Sequence, residues 1–77
     1  MNERRRSSLK RALSMLASAS AMIDQAAEEE QESMDNLPEN LQGSAQYEKM
    51  EDAVSLLESA IEDIDSASER IRDAASR

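Results

Sequence analysis

From Tyr47 to Ala75 one face of the chain recurs without a break. Tyr47, Met50, Val54, Leu57, Ile61, Ile64, Ser68, Ile71 and Ala75 follow one another at spacings of three and four. This is the heptad pattern of a helix whose apolar stripe lies along a second helix. Ala53, Ala60, Ala67 and Ala74 flank the stripe every seventh residue. The first half repeats the arrangement with Leu9, Leu13, Leu16, Ser20, Ile23, Ala27 and Met34, flanked by Ala12, Ala19 and Ala26. Two matching stripes with small neighbours suit close packing. The pattern predicts an all-α fold: an antiparallel two-helix hairpin, coiled-coil-like, with an alanine-rich seam.

The punctuation between the stripes sets the boundaries. Pro38 cannot donate a helical hydrogen bond, so residues 36–43 form the connection. A single hairpin is expected over residues 1–77, with helix 1 over about 2–35 and helix 2 over about 44–76. Asn2 is the expected N-cap of helix 1, and Ser44, after Gly43, that of helix 2. Pro38-Glu39-Asn40-Leu41 suits one isolated helical turn, because proline fits a first helical position. A connection this short joins antiparallel neighbours. Centred on Pro38, the turn opposes Leu13 with Ile64, Leu16 with Ile61, Ser20 with Leu57, Ile23 with Val54 and Ala27 with Met50, a register that the repeat leaves open to a slip of one heptad position. It also sets Glu30 against Tyr47, so a phenol–carboxylate hydrogen bond is expected.

With 77 residues, no cysteine, no histidine and one aromatic, the chain has little with which to build a core. A two-helix sheet of contacts leaves both outer faces wet. Assembly into a helical-bundle homo-oligomer, a dimer or tetramer, is therefore expected. Helix 1 sharpens this expectation. From Ala12 to Ile23 it carries no charge in any direction, and Met15 and Met22 lie outside the seam. A helix apolar all round is buried all round, against another copy, a partner or a lipid surface. A symmetric assembly with helix 1 at its centre is the simplest answer. The uncharged run is too short to span a membrane. Arg4, Arg5, Arg6, Lys10 and Arg11 before it mimic an export signal, with Ala17-Ser18-Ala19 as a cleavage-like triplet. The heptad runs through that segment, so it reads as structural helix and the expected location is the cytoplasm.

Charge is strongly segregated. Residues 1–11 carry five cations and one anion, residues 12–65 carry fourteen acids and only Lys49, and residues 66–77 sum to one positive charge. Both termini of a hairpin share one end. That end is basic and the turn-side body acidic, within a net charge of −8. Glu48, Glu51 and Asp52 near the start of helix 2 suit its dipole, but in helix 1 the signs oppose it: arginines crowd the start, and Glu28, Glu29, Glu30, Glu32 and Asp35 crowd the finish. Two compensations fit this mismatch. One is an antiparallel assembly that sets acidic body on basic end. The other is an anionic ligand held by guanidinium forks, which match phosphate oxygens in a bidentate way.

Several chemistries lack their parts. Nucleophilic catalysis wants a base beside a nucleophile, and neither histidine nor cysteine is present. Gly43 is the only glycine, which excludes glycine-rich phosphate loops. Glu28, Glu29, Glu30 and Glu32 read as a solvated face rather than a metal site, since no liganding loop accompanies them. No enzyme, cofactor or metal is expected. The acidic body and the absence of stacking aromatics argue against nucleic-acid binding. The same body suits an interaction module that docks on a basic host protein, or imitates DNA to occupy one. A basic amphipathic N-terminus on a membrane surface is a further alternative.

Asn36-Leu37-Pro38-Glu39-Asn40-Leu41-Gln42-Gly43-Ser44, followed by Tyr47-Glu48-Lys49-Met50-Glu51-Asp52-Ala53 and Leu57 to Ile64, carries a further signal. This stretch resembles short helical-hairpin proteins of phages and mobile elements of Gram-positive bacteria. Some small phage proteins of that general type are oligomeric sponges that sequester cyclic-nucleotide signals of bacterial immunity such as CBASS. The resemblance implies a non-catalytic oligomer that holds such a signal between subunits. On physical grounds the phosphate-binding candidates are Arg4, Arg5, Arg6, Lys10 and Arg11, joined by Arg70 and Arg72, with Tyr47 offering its ring to a base or its hydroxyl to a ribose.

Overall fold

The computed structural model describes residues Met1–Arg77. Helix α1 spans Glu3–Asp35 and helix α2 spans Ala45–Ser76, with one 3₁₀ turn, Glu39–Leu41, between them. The fold is an all-α helical hairpin. Its caps follow from the side chains at each start. Asn2 Oδ1 accepts from the Arg5 amide at 2.9 Å, and Ser44 Oγ accepts from the Tyr47 amide at 3.2 Å. Each occupies one of the donors that a helix start leaves without a partner.

The connection closes on itself. The Leu41 amide donates to the Pro38 carbonyl at 2.8 Å and the Ser44 amide to that of Leu41 at 3.1 Å. The Gln42 amide side chain donates to the Leu37 carbonyl at 3.0 Å. Gly43 takes φ +80°, the left-handed conformation that side chains with a Cβ resist, just before α2 begins. Leu37 and Leu41, both half-buried, close the end of the seam.

The register differs from the sequence-based expectation by one helical turn. Arg6 Nε donates to the Ala75 carbonyl at 3.0 Å, which brings these two positions to neighbouring levels. Stepping seven residues along each helix in opposite senses pairs Leu13 with Ser68, Ser20 with Ile61, Ala27 with Val54 and Met34 with Tyr47. Ala27 and Val54, both buried, line one groove together. The cause lies in the connection. It runs from Asn36 to Ser44 and turns about Asn40 within the 3₁₀ turn, not about Pro38. Large therefore meets small at Leu13–Ser68, Ser20–Ile61 and Ala27–Val54. Glu30 no longer opposes Tyr47, whose hydroxyl has no protein hydrogen-bond partner; its backbone amide donates to Ser44 Oγ.

The seam also drifts. In α1 Ala12 and Ala19 are half-buried, but Ala26 is exposed and Gln31 is half-buried in its stead. In α2 Ala53, Ala60 and Ala67 are half-buried and Ala74 is exposed. A straight helix rotates about 20° per heptad against a strict seven-residue repeat, so the contact sector slides off the alanine edge as each helix proceeds.

The result is a rod of 59 × 15 × 11 Å with a radius of gyration of 17.5 Å. A compact chain of this length has a radius near 11 Å. Four residues are buried, Ala27, Met34, Val54 and Ser68. Three of them lie in the turn-side half. No helix is long and apolar enough to cross a membrane.

Candidate functional site

The basic end gathers most of the sequence-based candidates but gives them different surroundings. Arg6 is committed to the fold. Besides its bond to Ala75, its Nη1 lies 3.3 Å from Glu3 Oε1, the single ion pair of the chain. This contact answers the charge mismatch noted above. Neither helix carries a cation in its own last turn. In an antiparallel pair the start of α1 lies beside the finish of α2, so Arg6 supplies the positive charge that the α2 carbonyls want. The arginines that oppose the dipole of their own helix complement that of its neighbour, and the acids finishing α1 lie toward the positive start of α2 in the same way.

Arg4 and Arg5 are exposed and unpaired. Together with Met1, Asn2, Ser8 and Leu9 they line a shallow hollow of about 420 Å³. Lys10, Arg11, Arg70 and Arg72 are also exposed and unpaired. The helical periodicity splays them: Arg4 and Arg11 on the outer ridge of α1, Lys10 and Arg72 on one broad face, Arg5 and Arg70 on the other. Tyr47 stands apart. It is half-buried, at the level that the register gives Met34, roughly 40 Å along the rod from Arg6 at 1.5 Å per residue. No single chain brings Tyr47 to the cations.

The two broad faces differ in kind. One carries a groove of about 320 Å³ with Ala27 and Val54 at its floor and Asp24, Glu28, Gln31, Glu32 and Glu58 around it. No cluster of acidic side chains there or elsewhere converges closely enough to hold a metal ion. The opposite face presents the alanine edges of both helices. Met15 follows Ala12 by three residues, Met22 follows Ala19, and Leu56 follows Ala53, so all three large side chains stand beside those edges. They are 70%, 72% and 71% exposed.

Leu56 was not among the residues that the sequence reading singled out. The seam takes Leu57, and its neighbour looks like a chance apolar residue. The three-residue step after Ala53, identical to those of the two methionines, is the signal that finds it. Asn2 and Ser8 were likewise not assigned to the basic hollow, because capping and solvation account for such residues on a helix start. No protein family, no curated protein and no solved structure matches this chain.

Proposed function

We propose that this hairpin is a non-catalytic binding protein whose basic end takes a phosphate-bearing small molecule. In its most concrete form it is a phage-type sponge that sequesters a cyclic-nucleotide immune signal between subunits. The observation that carries this reading is the hollow at the helix start, where Arg4 and Arg5 point two unpaired guanidinium groups at solvent beside the free donors of the Asn2 end. Such groups recognise phosphate by paired hydrogen bonds and by charge. The hollow is open, so a ligand held tightly needs a second chain to cover it. Arg6, which ties the helices together, belongs to the support of the site. Native mass spectrometry against a panel of cyclic nucleotides tests the reading. Whole ligand masses on the wild type, lost in Arg4→Ala/Arg5→Ala with helicity kept, are the expected outcome. No uptake across the panel overturns it.

A second reading rests on the acidic groove. Asp24, Glu28, Glu32 and Glu58 over an apolar floor offer a basic protein segment both charge and a small hydrophobic contact. Titration with a lysine-rich peptide at low and high salt distinguishes the two readings. Glu28→Lys/Glu58→Lys weakens the peptide and spares the nucleotide. Glu39→Lys/Asp73→Lys, of equal net charge but outside the groove, leaves peptide binding near the wild-type value.

A further inference from the structure

We infer that the face bearing Met15, Met22 and Leu56 is a self-association surface, covered by a second copy of this chain lying antiparallel to the first. This goes beyond the ligand reading above, and it is tested without any ligand, so the two stand or fall separately. The occupant is argued from area, shape and charge.

The chain exposes 5884 Å², whereas a compact monomer of its 8.5 kDa exposes roughly 4,700 Å². The excess of about 1,200 Å² exceeds the ~800 Å² that each partner of a stable complex buries. The surplus is not spread evenly in its chemistry. Met15, Met22 and Leu56 are the most exposed large apolar side chains of the protein, and they share one face. Beside them lie Ala19, Ala53 and Ala60, small enough to let a second pair of helices approach and to receive large side chains. The other broad face is ringed by carboxylates, which a second copy of the same sign would repel.

Charge fixes the direction. Rods laid open end to open end would stack arginines on arginines and glutamates on glutamates. A two-fold axis crossing the rod near Ala19 instead lays α1 on α1 and α2 on α2 in opposite senses. Arg11 of each copy then reaches the level of Glu29 of the other, and Arg70 that of Asp52. Met15 of one copy meets the level of Met22 of the second. The uncharged stretch from Ala12 to Ile23 thereby loses the exposure that a lone hairpin leaves it.

Sedimentation equilibrium of the unliganded chain over a concentration series is the test. The expected result is a species of twice the 8.5 kDa chain mass. Met22→Glu/Leu56→Glu is expected to weaken association at least tenfold. A wild type that stays at one chain mass overturns the inference, as does a double variant that associates like the wild type. Because that variant also loses helicity if folding depends on assembly, a second probe is independent of it. The chain lacks cysteine, and Ala19→Cys places a thiol beside the proposed axis. A disulfide between two copies on mild oxidation is expected. A dimer in which Ala19→Cys fails to join its own counterpart, but Ala19→Cys chains couple to Ala60→Cys chains, overturns the antiparallel arrangement.

Discussion

The two ends of the rod hold the helices together by different means. At the turn end the chain is continuous and Met34, Val54 and Ala27 are buried. The 3₁₀ turn and Gly43 fix the reversal, and Leu37 and Leu41 close the seam. At the open end no covalent link exists and the one buried side chain, Ser68, contributes little apolar area. There a charged donor takes over, Arg6 on the Ala75 carbonyl. Apolar burial stabilises in proportion to area, whereas a single charge-assisted hydrogen bond acts only where its two atoms meet. The hairpin is thus packed at one end and clasped at the other. The clasp satisfies the Ala75 carbonyl, beside the Asp73 and Ala74 carbonyls that Ser76 Oγ and the Arg77 amide already occupy.

Substitutions at the two ends separate these contributions. The largest effect is expected for Met34→Ala, where loss of a buried side chain beside Tyr47 costs about 2 kcal/mol or more. Thermal unfolding followed by circular dichroism reads it, and an unchanged midpoint would mean that the turn end is not the packed one. Next comes Gly43→Ala. Nothing crowds a Cβ at that position, yet φ +80° alone costs on the order of 1 kcal/mol. A stabilised variant would remove the conformational role given to Gly43. Arg6→Ala is expected to cost about 1 kcal/mol and to act locally. Hydrogen exchange should speed up over Ile71–Ser76 and stay as it was around Val54. Arg6→Lys keeps the charge but lacks the Nε donor, so it should recover only part of the protection. Glu3→Gln sits at the bottom of the scale, because its pair with Arg6 is solvent-exposed and contributes under about 0.5 kcal/mol. A larger loss would mean that Glu3 orients Arg6 for the clasp.

Much of the fold was legible because each local signal agrees with the others. Asn2 and Ser44 cap as their types predict, Pro38 introduces the turn, and the stripes from Leu9 and from Tyr47 do face each other. The register was not legible. A heptad stripe is nearly self-similar under a shift of one turn, and Leu13 packs as plausibly on Ile64 as on Ser68. Only the conformation of residues 36–44, whose pivot is Asn40, decides between them. Tyr47 fell on the wrong partner for that reason. The roles at the basic end divide similarly. Composition reveals a cluster of cations, but Arg6 becomes a clasp and Arg4 and Arg5 line a hollow through their angular positions relative to α2. Those angles depend on the register. The contrast between an acidic and an alanine-rich broad face was within reach, since it follows from the heptad once the helices are taken as antiparallel.

The pairing of Arg6 with Ala75, Leu13 with Ser68 and Ala27 with Val54 has a consequence for length. Each block of seven residues in α1 answers one block of seven in α2, and no element reaches across several layers. Excising residues 14–20 together with 61–67 removes one complete storey and leaves every other facing pair intact. Stability in such a stack is close to a sum over storeys. The hairpin therefore behaves as a measured ruler, whose span can be cut or extended in whole increments while its two ends keep their chemistry.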